Sequence, residues 1–211
     1  MSRTRVKICG VTRVDDALLA CELGADAIGI VMTPSSPRGV SIEQARAIRE
    51  ALPAFVDAVV LTHDLPAERV RAIVDAVQPD RVQFHGSEDA AFCEGFGVRY
   101  IKAIGMAGDV DVRATAGQHP RAVGFVLDGH PPGQQGGRGQ TFDWSRVPRD
   151  LDRPILLAGG LNPSNVGEAI RTVRPWAVDL ASGVESSPGI KDAGKLRAFF
   201  AAVGAADAEM A

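Results

Sequence analysis

Ile155-Leu156-Leu157-Ala158-Gly159-Gly160-Leu161-Asn162-Pro163-Ser164-Asn165 leads, twelve residues after Asn165, into Ala177-Val178-Asp179-Leu180-Ala181-Ser182-Gly183. An apolar run without charges, a Gly-Gly break, an amphipathic stretch over 165–173 and a second apolar run make one strand–helix–strand unit. Strands rich in Val, Ile and Leu with few charges are covered on both faces, which is the condition of a parallel sheet flanked by helices.

The same alternation runs outward to both ends of the chain. Further strand candidates are 6–9, 27–32, 58–62, 81–85, 100–104 and 122–128, beside 155–158 and 177–181. Between them, 15–23 stops at Gly24. The stretch 41–52 opens on Ser41 with Gln44 three residues on, a capping box, and ends before Pro53. The stretches 66–77 and 165–173 read the same way. A last helix over 192–203 precedes an Ala-rich tail, 205–211, expected to fray. About eight β–α units with no composition break in 211 residues predict an α/β chain with one domain over 1–204. So many short units in such a length favour a closed (β/α)8 TIM barrel over an open doubly wound sheet.

In a barrel, chemistry belongs at the C-terminal ends of the strands. Polar residues do gather there: Cys9-Gly10, Gln83-Phe84-His85-Gly86, Asp128-Gly129, Gly159-Gly160, and Asp179 followed by Ser182-Gly183. Period-two alternation puts Lys7 and Cys9 on one face of their strand, Gln83 and His85 on one face of theirs, and Asp128 opposite Phe125 and Leu127.

Composition narrows the function classes. Formal net charge is -3 and no basic tract is present, which argues against a nucleic-acid partner. No apolar run reaches the ~18 residues of a membrane span, and no apolar segment follows the N-terminus as in a secretory signal. Cys9, Cys21 and Cys93 form no metal-type spacing and leave one over if two were bridged. Free thiols in a reducing cytoplasm are the simpler reading, with Cys21 and Cys93 as small buried hydrophobes. The expected partner is a small molecule.

Two stretches read as anion cradles: Gly159-Gly160 ahead of a helix, and Ser182-Gly183 after the next strand. Glycines let backbone N–H groups approach a phosphate, and a helix N-terminus adds a favourable dipole. Glycines in tight turns are the plain alternative. Two such loops after consecutive late strands favour phosphate.

The chain resembles the phosphoribosylanthranilate isomerases of tryptophan biosynthesis. The resemblance rests on Lys7-Ile8-Cys9-Gly10, Ser36-Pro37-Arg38, Gln83-Phe84-His85-Gly86, Leu127-Asp128, Gly136-Gly137-Arg138-Gly139 and Phe142-Asp143-Trp144. It continues in Leu157-Ala158-Gly159-Gly160-Leu161, in Val178 through Glu185, and in Pro188-Gly189 and Lys191-Asp192. It implies an Amadori rearrangement of N-(5-phosphoribosyl)anthranilate without metal or other cofactor. Cys9 stands at the family's general base and Asp128 at its general acid. The resemblance also implies that Arg38 meets the anthranilate carboxylate.

A free thiol is a poor base unless a cation favours its thiolate, and Lys7 at i−2 is the candidate. Asp128 needs its proton held above the ordinary carboxylate range, with Asp179 the candidate neighbour; Asp179 could equally orient the ribose. Gln83 and His85 face the pocket, either as ligand contacts or as a hydrogen-bonded structural pair. His63, His119 and His130 carry no assignable pattern.

The sequence departs from the family at Arg138, where a small hydroxyl residue is more usual, at the 59–64 strand, and at Val31-Met32, where an aromatic is common. The loop 129–140, with five glycines and Pro131-Pro132, is expected to act as a lid. Competing readings are the histidine-pathway aminoaldose isomerase, a dual-substrate enzyme, and a non-catalytic sugar-phosphate-binding barrel. The first should show an aspartate in place of Cys9 and a second phosphate cradle in the first half. Sequence leaves a monomer and a homodimer equally open.

Overall fold

In the computed structural model, which describes residues 3–131 and 141–210, eight parallel strands close into a barrel. They are β1 (Arg5–Ile8), β2 (Ala27–Val31), β3 (Asp57–Thr62), β4 (Arg81–Phe84), β5 (Tyr100–Gly105), β6 (Phe125–Asp128), β7 (Ile155–Leu157) and β8 (Ala177–Leu180). Strand β8 returns to β1 with Val6 beside Val178 and Lys7 beside Asp179. Around them lie α1 (Val14–Glu22), α2 (Ile42–Ala51), α3 (Ala67–Val77), α4 (Ala90–Glu94), α5 (Val112–Gly117), α6 (Val166–Val173) and α7 (Ala193–Met210).

The alternation expected along the strands is the division between two cores. Val6, Ile8, Val82, Phe84, Phe125 and Leu127 point outward into the helix layer, where all are at most 2% exposed. Burying each such side chain contributes roughly 1.5–3 kcal/mol. Their neighbours point into the barrel: Ile101, Ala103, Val126 and Leu156 in one cluster, Cys9, Val59 and Leu61 in another. The capping box at α2 is present, with Ser41 Oγ accepting from the Gln44 N–H at 3.2 Å and Gln44 Oε1 accepting from the Ser41 N–H at 3.0 Å.

One expectation is corrected. Residues 205–210 do not fray: α7 continues to Met210 with Ala206 buried, and Ala211 lies outside the described residues. Asp207 accepts from Thr4 N at 2.8 Å and from Thr4 Oγ1 at 2.6 Å, so the last helix is tied to the start of β1. Alanine's high helix propensity carries the run once those contacts exist. Between β6 and β7 the described residues form a 3₁₀ turn, Trp144–Arg146. After β8 the chain makes an unforeseen antiparallel hairpin of β9 (Glu185–Ser187) and β10 (Ile190–Lys191). From residue 132 onward the expected lid, and Arg138 with it, lies outside the described residues. No described helix is long and apolar enough to cross a membrane.

Candidate active site

One cleft at the C-terminal ends of the strands encloses about 870 Å³, part of it open to solvent. Cys9 from the end of β1, Gln83 and His85 from β4, Asp128 from β6, Gly159 and Gly160 after β7, and Asp179 and Ser182 from β8 all line it, as does Arg38. Lys7 lies one inward step below Cys9 on β1, and Gly183 stands behind the cradle. The predicted residues therefore meet in one place.

Register explains the charges inside the barrel. Lys7 and Asp179 are direct neighbours across the β1–β8 seam, and Lys7 Nζ donates to both Asp179 oxygens at 2.9 Å. Both side chains are at most 6% exposed. Burial pulls the Lys7 ammonium down, but Asp179, then Cys9, outweigh it and leave its pKa raised. For Cys9, burial pushes the thiol up, Lys7 pulls it down, Asp179 pushes it up again and Lys191 pulls it down. Burial wins, so Cys9 rests above the ordinary thiol value. Lys7 pulls the thiol in the direction expected of it, but burial outweighs that pull. Asp179, the expected neighbour of Asp128, has both its oxygens on the Lys7 ammonium. Gly29 on β2 gives the thiol its room, since a Cβ there would lie 2.8 Å from Cys9 Sγ.

Around Asp128 the fold places histidines. His85 Nε2 is 3.9 Å and His130 Nε2 4.0 Å from Asp128 Oδ2. The rings themselves are linked, His85 Nε2 to His130 Nε2 at 2.8 Å, His130 Nδ1 to the Pro131 carbonyl at 2.7 Å, and His85 Nδ1 to Gln83 Nε2 at 3.2 Å. The carbonyl of Pro131 only accepts, so His130 carries its proton on Nδ1 and presents a lone pair at Nε2. His85 then donates from Nε2 and accepts at Nδ1 from the Gln83 amide. Burial first, then the neighbouring His130 imidazole, press the His85 pKa well below its usual value, so His85 is neutral in this arrangement. Of the two readings left open for Gln83 and His85, the hydrogen-bonded pair is present, and both still line the cleft.

Arg38 presents its planar edge to a carboxylate, but that carboxylate is Glu185: Nε to Oε1 is 2.9 Å and Nη2 to Oε2 is 2.8 Å. Lys191 Nζ joins Glu185 Oε1 at 2.9 Å and also donates to the Cys9 carbonyl at 2.6 Å and the Ala181 carbonyl at 3.2 Å. One buried ammonium thus ties together the ends of β1 and β8 and the hairpin. Burial would raise the Glu185 pKa, but Arg38 and Lys191 outweigh it and hold it below the usual range. His130, Glu185 and Lys191 were missed as site residues. The only signal for the last two was their place in the quoted motifs, and His130 had none.

The cradle has open donors. Gly159 and Gly160 sit at φ 83° and 64°. Among the described residues nothing accepts from their N–H groups. The loop is held rigid from behind, with Asn162 Nδ2 and Asn165 Nδ2 donating to the Gly160 carbonyl at 3.2 and 3.0 Å. Gly183 lets the two loops touch: a Cβ there would stand 1.9 Å from the Leu161 carbonyl oxygen. Gly183→Ala should therefore part the loops. Inorganic phosphate affinity is expected to fall about tenfold or more, roughly 1.4 kcal/mol. Equal phosphate affinity in wild type and variant, by calorimetry, would remove this site as the anchor.

A thiol and a carboxyl facing one cleft, beside open amides suited to phosphate, define a single-domain (β/α)8-barrel enzyme for phosphorylated small molecules. The chain belongs to the N-(5'phosphoribosyl)anthranilate (PRA) isomerase family, whose pattern it matches over residues 6–202. It is 48% identical over 207 residues to the N-(5'-phosphoribosyl)anthranilate isomerase of Stenotrophomonas maltophilia (strain R551-3), covering 97% of this chain and 95% of that one. It superposes on phosphoribosyl anthranilate isomerase from Thermotoga maritima with a TM-score of 0.87 at 40% identity, covering 96% of this chain and 99% of that one. A further solved phosphoribosyl anthranilate isomerase, in complex with reduced 1-(o-carboxyphenylamino)-1-deoxyribulose 5-phosphate, matches with a TM-score of 0.84 at 38% identity over 96% and 99%.

Proposed function

We propose that this chain catalyses the Amadori rearrangement of N-(5'-phosphoribosyl)anthranilate to 1-(2-carboxyphenylamino)-1-deoxyribulose 5-phosphate, a step of tryptophan biosynthesis. The observation that carries this reading is the placement of Cys9 and Asp128 in one cleft with the paired loops after β7 and β8. Those loops anchor the sugar phosphate. Asp128 delivers a proton to the furanose oxygen and the ring opens to an iminium. Cys9, once its thiol proton has passed to solvent, removes the C2 proton as a thiolate, the electron pair flows to the iminium nitrogen, and the enolamine tautomerises to the ketone. The reaction is proton-neutral, so the proton gained by Cys9 must be returned to Asp128 before the next turnover.

The raised Cys9 pKa fits a base that is activated late. The iminium formed by ring opening puts a positive charge in a buried site, where its attraction for a thiolate is large. Lys7 adds to this, and Asp179 holds Lys7 in place. Arg38, with Nε and Nη2 engaged by Glu185, offers Nη1 to the anthranilate carboxylate. A two-phosphate substrate finds no second cradle in the loop after β4: the N–H groups of Gly86 and Ser87 donate there to the carboxylates of Glu88 and Asp64, at 2.9 and 2.7 Å. Carboxylates at that position repel a phosphate.

Turnover is tested by the loss of anthranilate-type fluorescence on adding the enzyme to the substrate, with wild type, Cys9→Ala and Asp128→Asn side by side. A wild type that only shifts the emission, without consuming the substrate, is a binder and defeats the reading. The pH profile supplies a second check. With the thiol raised, the thiolate fraction grows tenfold per pH unit below its pKa. Asp128 must hold its proton while Cys9 gives up its own, so the two titrate in opposition. In Asp128→Asn, where only the base titrates, the residual kcat/KM should climb with unit slope between about pH 6 and 8. A flat profile there excludes Cys9 as the titrating base.

A further inference from the structure

We propose that His85, His130 and Asp128 bind a divalent transition-metal cation of the zinc class inside the cleft, in competition with the sugar phosphate. The three ligand atoms all lie within 4.8 Å of one another. The two Nε2 atoms are 2.8 Å apart, and Asp128 Oδ2 stands 3.9 and 4.0 Å from them. Zinc takes imidazole nitrogen at ~2.0–2.1 Å and carboxylate oxygen at ~2.0–2.2 Å, so the carboxylate has to close by only about 1 Å.

The ligand support is already built. A metal-bound histidine donates its other ring N–H to an acceptor, which sets the tautomer and raises its basicity. His130 does so now, from Nδ1 to the Pro131 carbonyl at 2.7 Å. His85 has its acceptor waiting. Gln83 is 1% exposed and its Oε1 is buried without a hydrogen-bond partner, while its Nε2 faces His85 Nδ1. With a metal on Nε2, the His85 proton resides on Nδ1. A half-turn of the Gln83 amide then supplies Oε1 as its acceptor, and the orphaned atom is satisfied. Among the described residues nothing else donates to that atom.

Two imidazoles and one carboxylate leave the remaining coordination positions facing the cleft, since His85 and Asp128 both line it. That is the layout of an open, exchangeable site, not of a closed structural one. A coordinated Asp128 has no proton to give, so occupancy should silence turnover. This last consequence rests on the function proposed above, whereas binding does not.

The test uses the whole chain, stripped with EDTA and exchanged into chelator-free buffer, titrated with Zn²⁺ against a chromophoric chelator and with Co²⁺ by absorption. The expected result is one Zn²⁺ per chain and cobalt d–d bands without a sulfur-to-cobalt charge-transfer band. His130→Ala should weaken Zn²⁺ by about tenfold or more, as should Gln83→Leu, which leaves both imidazoles and the Pro131 contact in place. Zn²⁺ should inhibit competitively with substrate and release on adding EDTA. No stoichiometric zinc in wild type overturns the proposal. So does a sulfur charge-transfer band that vanishes in Cys9→Ala, or wild-type affinity in both His130→Ala and Gln83→Leu. Zinc bound by a chain that never consumes the substrate upholds the metal site and sinks the isomerase reading instead.

Discussion

Cys9→Ala is expected to lower kcat/KM by about 10²–10⁴-fold, the range for removal of a general base, while substrate still binds. Alanine cannot accept the C2 proton, and water held in its place is a far weaker base. The loss corresponds to roughly 3–5 kcal/mol of barrier. Unfolding does not explain it away: Cys9 is buried at 8% exposure in a small cluster with Val59 and Leu61, and deleting one sulfur there costs about 1 kcal/mol. Asp128→Asn keeps the shape and removes the proton, so a loss of the same order is expected. The double variant should be little worse than either single one, because acid and base act on one reaction sequence. Binding is read from the emission of the substrate, which both variants consume only slowly. A Cys9→Ala enzyme within about tenfold of wild type would falsify the assignment of the base.

Lys7→Met is expected to destabilise the fold by about 3–5 kcal/mol, the effect of removing one member of a buried pair. Lys7 is 2% exposed, and both oxygens of Asp179 face its ammonium at 2.9 Å. Without it, a carboxylate is left inside the barrel with no counter-charge, and the penalty is that of burying it alone. The pair joins β1 to β8, so the loss falls on the seam where the barrel closes. Lys7→Met/Asp179→Leu should recover much of the stability, since an apolar pair of similar volume needs no compensation. Denaturant unfolding measures both variants. A single variant within about 1 kcal/mol of wild type contradicts the picture of an unscreened pair. The same substitution should move the rising limb of the pH profile to higher pH, because Lys7 pulls the Cys9 thiol down. An unmoved limb removes Lys7 from the tuning of the base.

How much of the site was legible follows the range of each interaction. Lys7 and Cys9 share a face because they are two residues apart on a strand, and Gln83 with His85 likewise; period two is a local property. Gly159 and Gly160 were readable because two positive-φ residues before a helix are a local demand. Arg38 was readable as a fork for a carboxylate, but its observed partner, Glu185, lies 147 positions along the chain. Asp179 was taken as a neighbour of Asp128 because both end strands, yet register pairs it with Lys7, 172 positions away. The tail after residue 204 read as frayed because an Ala-rich segment shows no cap of its own; what holds it is Asp207 on Thr4, at a separation of 203. His130 stands two positions beyond Asp128 with no pattern to mark it, and the approach of the β4 and β6 ends across the barrel mouth brings His85 to it.

By itself, then, this sequence determined the alternation of strands and helices, which faces of the strands are apolar, and which strand ends carry a thiol, carboxyls and glycine loops. Those follow from backbone periodicity and side-chain transfer from water, both of which act within a few residues. The closed tertiary structure alone decided the charge on each group: that burial keeps Cys9 a thiol, that Lys7 answers Asp179, and that His85 stays neutral against His130. Electrostatic energies depend on distance through space and on exclusion of water, and neither exists until β8 has come back to β1.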